Sequence, residues 1–373
     1  MPPRTELPER LEPLLADFRA GKRRALARAI SIVEDEREGF QSVLDALFAS
    51  VGGAHRIGLT GPPGAGKSTL SARLIRAYRA RGEGVGVVAV DPTSPYTGGA
   101  LLGDRIRMNE AAEDREVFIR SMATRGSLGG LAVTTKEVAD VMDAFGFDRV
   151  LMETVGVGQS ELDIVAAADT TVVVLVPESG DSVQAMKAGL MEIADLFVVN
   201  KADRPGAERL TREIELVLHL RLGQAPGQGG GHHGVDMGAV RERWRERAKA
   251  RAASGQGGTR EIGVVGAPEP EGQDTGWQVP VLQTVAESGE GIDPLVDTLE
   301  RHREWLLASG ELERRRAARL EQRVREAVQR ALLQRAWREG PGPALLEEAR
   351  ADLLAGRVTP YEVAARIVRA AGL

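Results

Sequence analysis

The chain has 373 residues, 42% hydrophobic and 28% charged, a balance that excludes a wholly disordered or membrane-embedded protein. Its 49 Lys and Arg against 54 Asp and Glu leave a formal net charge of −5, so there is no broad field for nucleic acid or an anionic bilayer, and any polyanion site is local. With no cysteine, disulfides, thiolate zinc sites and cysteine nucleophiles are excluded together.

The first ten residues mix Pro, Arg and Glu without an apolar run, so no secretory signal is expected. The most apolar stretch, 164–176, is interrupted by Asp169 and falls short of the roughly 20 residues a bilayer span needs. A cytoplasmic protein, without nucleic-acid or membrane partners, is the expectation. Between residues 7 and 48, Leu11, Leu14, Leu15, Phe18, Leu26, Ile30 and Val33 recur at helical intervals, which predicts an N-terminal helical extension over 1–52.

From Arg56 the texture changes. Short apolar runs at 57–59, 85–90, 117–119, 149–152, 172–176, 196–199 and 279–282 alternate with helical patterns at 68–81, 134–145, 204–220 and 292–307. Runs of that kind are strands buried on both faces, and the alternation predicts a doubly wound, mostly parallel α/β sheet over 53–308. Residues 223–275, with 13 glycines, are too long for an ordinary helix-to-strand link and read as a Gly/Arg-rich flexible insertion. After Leu307 the pattern is purely helical. Leu320, Val324, Val328 and Leu332 form an apolar stripe on a C-terminal helical segment, 309–373, ending in a helical pair near 344–354 and 360–371.

The strongest motif is Gly61-Pro62-Pro63-Gly64-Ala65-Gly66-Lys67-Ser68, between a predicted strand and a predicted helix. Polyphosphate oxygens need several donors converging from one side, and a Gly-rich turn feeding a helix N-terminus presents backbone N–H groups that way. Lys67 is expected to bridge the β- and γ-phosphates, Ser68 to place its hydroxyl on Mg²⁺, and Thr69 to complete the nucleotide-binding set. Carboxylates at strand ends near the phosphates are the other candidates for metal and catalysis: Asp91, Glu153, and Asp104 in the loop before Arg107. The run Glu153-Thr154-Val155-Gly156-Val157-Gly158-Gln159 is where a γ-phosphate sensor belongs, with E-x-x-G in place of the usual D-x-x-G. Gln159 and Arg107 are candidates for a catalytic polar group, and hydrolysis without a partner is expected to be slow.

Base choice follows from Asn200-Lys201-Ala202-Asp203, after the strand pattern at 196–199. Asp203 is suited to accept from both N1–H and the exocyclic amine of guanine, Asn200 faces the opposite polar edge, and the Lys201 stem covers the ring. Adenine lacks that donor pair, and an unpaired buried carboxylate discriminates by about 10⁴–10⁵, so GTP or GDP is expected over ATP. Val285-Ala286-Glu287 is a third base-contact candidate, through its backbone. His232-His233 read as solvated residues, and the basic stretch 241–251 as a solvated helix or a partner contact.

With these motifs, the run Val90-Asp91-Pro92-Thr93-Ser94-Pro95, the stretch Thr97–Arg105 and the continuation to Ser160, the chain resembles the MeaB/ArgK-like GTPases, over roughly 7–222 and 276–373. The resemblance implies a chaperone of an adenosylcobalamin-dependent acyl-CoA mutase, such as methylmalonyl-CoA mutase. It also implies a homodimer held partly by the C-terminal helices, a nucleotide-dependent contact with the mutase, and GTP hydrolysis that gates cofactor loading and protects the mutase. The loop 177–187, with Gln184 and Lys187, looks like a further switch in such proteins. Two other readings stand beside it: a metal-insertion GTPase, favoured only by His232-His233, and a small-molecule kinase using the same phosphate loop.

Overall fold

In the computed structural model the described residues are 8–91, 114–123, 134–154, 164–177, 189–221, 276–338 and 340–372. The predicted insertion with His232 and His233, the loop carrying Asp104 and Arg107, the run 155–160 with Gln159, and Gln184 and Lys187 lie outside them. The chain divides into two compact units, Met1–Trp305 and Leu306–Leu373.

The first unit is built on seven strands: β1 (His55–Thr60), β2 (Val85–Asp91), β3 (Val117–Ala123), β4 (Arg149–Glu153), β5 (Thr170–Leu175), β6 (Leu196–Asn200) and β7 (Val281–Thr284). They form one parallel sheet in the order β3-β2-β4-β1-β5-β6-β7. Strands β1, β4, β5 and β6 are buried at every position, as in a parallel sheet covered on both faces. Helices α1 (Glu12–Arg19), α2 (Arg23–Glu34), α3 (Phe40–Leu47) and α5 (Thr135–Phe145) pack with Val88, Val90, Val150 and Met152 on one face of the sheet. Helices α4 (Lys67–Ala80) and α8 (Ile292–Ala308, up to Trp305 in this unit) share a core with Ile57, Leu59, Val85, Val87 and Leu151, residues of the opposite parity. Helices α6 (Leu190–Ile193) and α7 (Ala207–Arg221) are the other α-helices among the described residues of this unit.

The element boundaries depart from the sequence reading where single residues override the pattern. Strand β7 begins at Val281, not 279, because Pro280 has no N–H to give the ladder; its carbonyl instead accepts from the Phe197 amide at 2.9 Å. Helix α7 begins at Ala207, not 204, because Gly206 stands at φ 95°. The end carboxylates Asp91 and Glu153 belong to their strands rather than following them. Within the extension predicted for 1–52, the described residues 8–52 hold α1, α2 and α3, with Glu36 and Gly39 at φ 46° and 88° between α2 and α3.

Two buried arginines are each matched by carboxylates. Arg56, at the start of β1, meets Asp140 and Asp143 of α5, each at 2.8 Å. Asp143 also accepts from the amides of Gly52, Gly53 and Ala54, at 3.0, 3.0 and 2.9 Å. One carboxylate thus fixes the entry into β1, and removing either partner would strand a buried ion. At the same end of the sheet Arg149 lies over the Tyr78 ring and pairs with Glu83 and Glu300.

In the second unit, α9 (Glu311–Leu333) runs into a π-helical turn, Gln334–Arg338, and is followed by α10 (Gly342–Leu354) and α11 (Pro360–Ala370). Helix α11 starts at a capping box in which Thr359 and Glu362 exchange hydrogen bonds. Ala336, Ala349, Val363, Ile367 and Ala371 form its small core. The predicted stripe on α9 faces solvent in this chain, Val324 being 63% exposed. Among the described residues no helix is long and apolar enough to cross a membrane.

Candidate nucleotide-binding site

The carboxyl ends of the parallel strands are where a doubly wound sheet binds its ligands, and the loops after β1, β4, β6 and β7 carry the motifs. Strand β1 lies at the centre of the sheet, and the loop leaving it holds three glycines at positive φ: Gly61 at 132°, Gly64 at 76° and Gly66 at 87°. The loop leaves no room for a Cβ at two of them. On Gly61 it would lie 2.1 Å from the Val174 carbonyl oxygen, and on Gly66 it would lie 2.3 Å from Asn200 Nδ2. Helix α4 begins at Lys67, and the backbone N–H groups of its first turn point back towards this loop.

Lys67 is buried, and its ammonium donates to the Gly61 and Pro62 carbonyls at 2.8 and 3.0 Å. It is thereby folded over the loop that is expected to hold the phosphates. Ser68 donates to Glu153 Oε1 at 2.6 Å, and Ser71, one turn later on α4, donates to Oε2 at 3.1 Å. The acid that sequence places at a strand end and the hydroxyl that it places on Mg²⁺ therefore come together, although 85 positions separate them. A hydroxyl beside a carboxylate suits Mg²⁺, which takes few protein oxygens and completes its octahedron with water and phosphate. No cluster of three or more His, Cys, Asp or Glu able to hold a metal occurs among the described residues. Asp91 ends β2, two strands from the phosphate loop and adjacent to β4; its side chain, like all of Asp104, lies outside the described residues.

Asn200, the last residue of β6, joins three loops. Its Nδ2 donates to the Ala65 carbonyl of the phosphate loop at 2.8 Å, while its Oδ1 accepts from the Thr284 hydroxyl at 3.1 Å and the Ala286 amide at 3.0 Å. The sequence reading sets Asn200 against a polar edge of the base; in the structure its amide group ties the base loops to the phosphate loop. Lys201 follows at φ 56°, a left-handed conformation rare for a residue with a side chain, held as the Ala202 amide donates to the Thr284 carbonyl at 3.0 Å. Asp203 is exposed, so its carboxylate is open to a base laid against it.

Val285, Ala286 and Glu287 form a tight turn after β7, closed by the Val285 amide donating to the Glu290 carbonyl at 2.9 Å. Gly291 ends it at φ 79°, where a Cβ would lie 2.3 Å from the Gln283 carbonyl oxygen. Two polar residues at this site escape sequence reasoning. Ser71 stands one helical turn from Ser68, a spacing that signals a shared face only once the carboxylate is known. Arg73 reaches the 285–287 turn from α4, and nothing in its local sequence distinguishes it from a solvated helix arginine.

The chain is similar in sequence to known proteins. The family model described as methylmalonyl Co-A mutase-associated GTPase MeaB matches residues 26–340. A putative GTPase of Pyrococcus abyssi is 44% identical over 318 residues, 85% of this chain and 84% of its own. The mitochondrial methylmalonic aciduria type A homolog of Mus musculus is 33% identical over 310 residues, 79% of this chain and 64% of its own. Among solved structures, that of a LAO/AO transport system kinase aligns over 98% of this chain and 99% of its own, with a TM-score of 0.62 at 23% identity, which speaks for the fold alone.

Proposed function

The chain belongs to the MeaB family of methylmalonyl Co-A mutase-associated GTPases, and from that premise we propose that it is a GTP-hydrolysing chaperone of an adenosylcobalamin-dependent acyl-CoA mutase. In this reading GTP hydrolysis gates the loading of adenosylcobalamin and protects the mutase, methylmalonyl-CoA mutase or a relative.

The observation that carries the proposal is the Ser68–Glu153 hydrogen bond. Glu153 is the first residue of the 153–159 run, so a change at the Ser68 hydroxyl would be felt where the chain enters its predicted phosphate sensor. Bound Mg²⁺ would neutralise charge on the β- and γ-phosphates. Ser68 is the hydroxyl that would hold it, with Glu153, Asp91 and Asp104 acting through water. Lys67 would exchange the Gly61 and Pro62 carbonyls for phosphate oxygens, trading an ionised donor on neutral acceptors for a contact in which both partners are charged. The phosphate loop 61–66, Ser68 and Thr69 would hold the polyphosphate. Asp203 would select guanine, Lys201 would cover the ring, and Asn200 would hold both loops in register. Unaided turnover is slow in this reading, and the candidates to stabilise the transferring phosphate, Arg107 and Gln159, lie outside the described residues.

The exposed stripe Leu320, Val324, Val328 and Leu332 on α9 supports a homodimer sealed by these helices. The deciding experiment mixes the protein with a purified adenosylcobalamin-dependent acyl-CoA mutase and follows co-elution with GDP, with a non-hydrolysable GTP analogue and without nucleotide. A complex whose amount changes with the nucleotide is expected, and equal absence under all three conditions overturns the proposal.

A further inference from the structure

We propose that Arg73 is a positioning residue for base recognition, aiming the Glu287 backbone N–H at the carbonyl oxygen of a bound guanine; this rests on the guanine-nucleotide reading above. Arg73 Nε donates to the Ala286 carbonyl at 2.8 Å, and Nη2 donates to the Glu287 carbonyl. The planar guanidinium fork thus holds two consecutive peptide carbonyls of the 285–287 turn, a two-point grip that a lysine cannot reproduce. The Ala286 amide is held from the other side, by Asn200 Oδ1 at 3.0 Å.

The consequence follows from the planarity of the trans peptide. The Ala286 C=O and the Glu287 N–H belong to one peptide unit and point in opposite directions. With that carbonyl turned onto Arg73, the Glu287 N–H is directed away from α4. The two amides that follow are already used, since both Ser288 and Gly289 donate to the Val285 carbonyl, at 3.1 and 2.9 Å. Glu287 therefore offers the donor of this turn. A cation on the carbonyl side polarises the peptide and strengthens its N–H as a donor. Arg73 lies six residues after Lys67 on the same helix, so α4 grips the phosphates with its first residue and orients the base turn with a later one.

Equilibrium titration with GDP, ADP and the 6-thio analogue of GDP separates this role from simple stabilisation. The analogue keeps the N1–H and the exocyclic amine that face Asp203 but replaces the carbonyl oxygen with a poor acceptor. Wild type is expected to bind GDP roughly tenfold more tightly than the analogue, the worth of one such hydrogen bond. In Arg73→Ala that ratio is expected to fall to near one, with GDP affinity dropping to that of the analogue, and Arg73→Lys is expected to give an intermediate ratio. Equal weakening of both ligands in Arg73→Ala, or no preference for GDP over the analogue in wild type, overturns the proposal. If Arg73→Ala does not fold, an unchanged ratio in Arg73→Lys overturns it equally. Failure of wild type to prefer GDP over ADP strikes the guanine reading itself, and the two failures are thereby told apart.

Discussion

The Ser68 hydroxyl donates to Glu153 Oε1 at 2.6 Å, so the start of α4 and the end of β4 meet through one side-chain hydrogen bond. Glu153 takes a second hydroxyl, that of Ser71, on its other oxygen at 3.1 Å. A carboxylate accepts both; a carboxamide accepts one and presents N–H groups to the other. Glu153→Gln is therefore expected to keep the fold, weaken Mg²⁺-dependent nucleotide binding and slow GTP hydrolysis at least tenfold. A magnesium titration of hydrolysis rate checks it, and a wild-type magnesium dependence in the variant would count against the assigned role.

Asp203 is open to the base, and its role is testable by nucleotide preference. A ligand present at about 100 times its dissociation constant stabilises the fold by about 2.7 kcal/mol. Thermal shifts with GDP, GTP and ATP are expected to rank the guanine nucleotides above ATP in wild type. Asp203→Asn is expected to erase that order while leaving a residual shift from phosphate contacts, which Lys67→Ala removes for all three.

Gly66 is a position where only glycine fits. Alanine there combines φ 87° with a Cβ 2.3 Å from Asn200 Nδ2. The left-handed strain alone costs about 1–2 kcal/mol, and relief of the clash pulls Asn200 off the Ala65 carbonyl. Gly66→Ala is expected to lose guanine-nucleotide binding outright and to lower the unfolding midpoint only modestly. Calorimetry on the folded variant decides it.

Acid stability should depend on His55. Burial is the largest cause holding its pKa down to about 3, against Asp169, which raises it; Arg149, Arg303 and His302 lower it further. Arg149 Nη1 lies 3.0 Å from His55 Nδ1, so that nitrogen carries no proton, and Nε2–H donates to Thr170 Oγ1 at 2.7 Å. Thr170 in turn donates to His302 Nδ1 at 2.8 Å. In the unfolded chain the His55 ring returns to 6.5 and takes up a proton that the folded state refuses. Its contribution is thus intact above pH 6.5 and lost as pH falls from there toward 3, by about 1.4 kcal/mol per pH unit. Urea unfolding at pH 7.5, 6 and 5 is expected to show this slope, and His55→Gln is expected to flatten it.

The stripe on α9 makes the assembly testable as well. Val324 and Val328 are 63% and 51% exposed in the single chain. Val324→Glu combined with Val328→Glu is expected to shift sedimentation from dimer to monomer and to leave GDP affinity within about twofold. A wild-type protein that sediments as a monomer at micromolar concentration would rule out the dimer.

Much of the molecule is written in its local sequence. The parallel sheet was legible because strands buried on both faces must be unbroken apolar runs, as in 172–176 and 196–199. The phosphate loop was legible because its glycines, strand and helix are contiguous, so each residue's conformation is set by its neighbours. Asn200-Lys201-Ala202-Asp203 was legible for the same reason. Boundaries moved by single residues, Pro280 and Gly206, that act on the backbone more strongly than the hydrophobic pattern.

What only the tertiary structure decided is who meets whom. Arg73 grips a turn 213 positions away, Glu153 is shared between two serines more than 80 positions before it, and Asn200 joins loops drawn from both halves of the first unit. No local preference encodes such pairings. They arise because parallel strands bring their carboxyl ends to one edge of the sheet, whatever the length of chain between them, and a buried polar group there settles on the partner that this order places within reach.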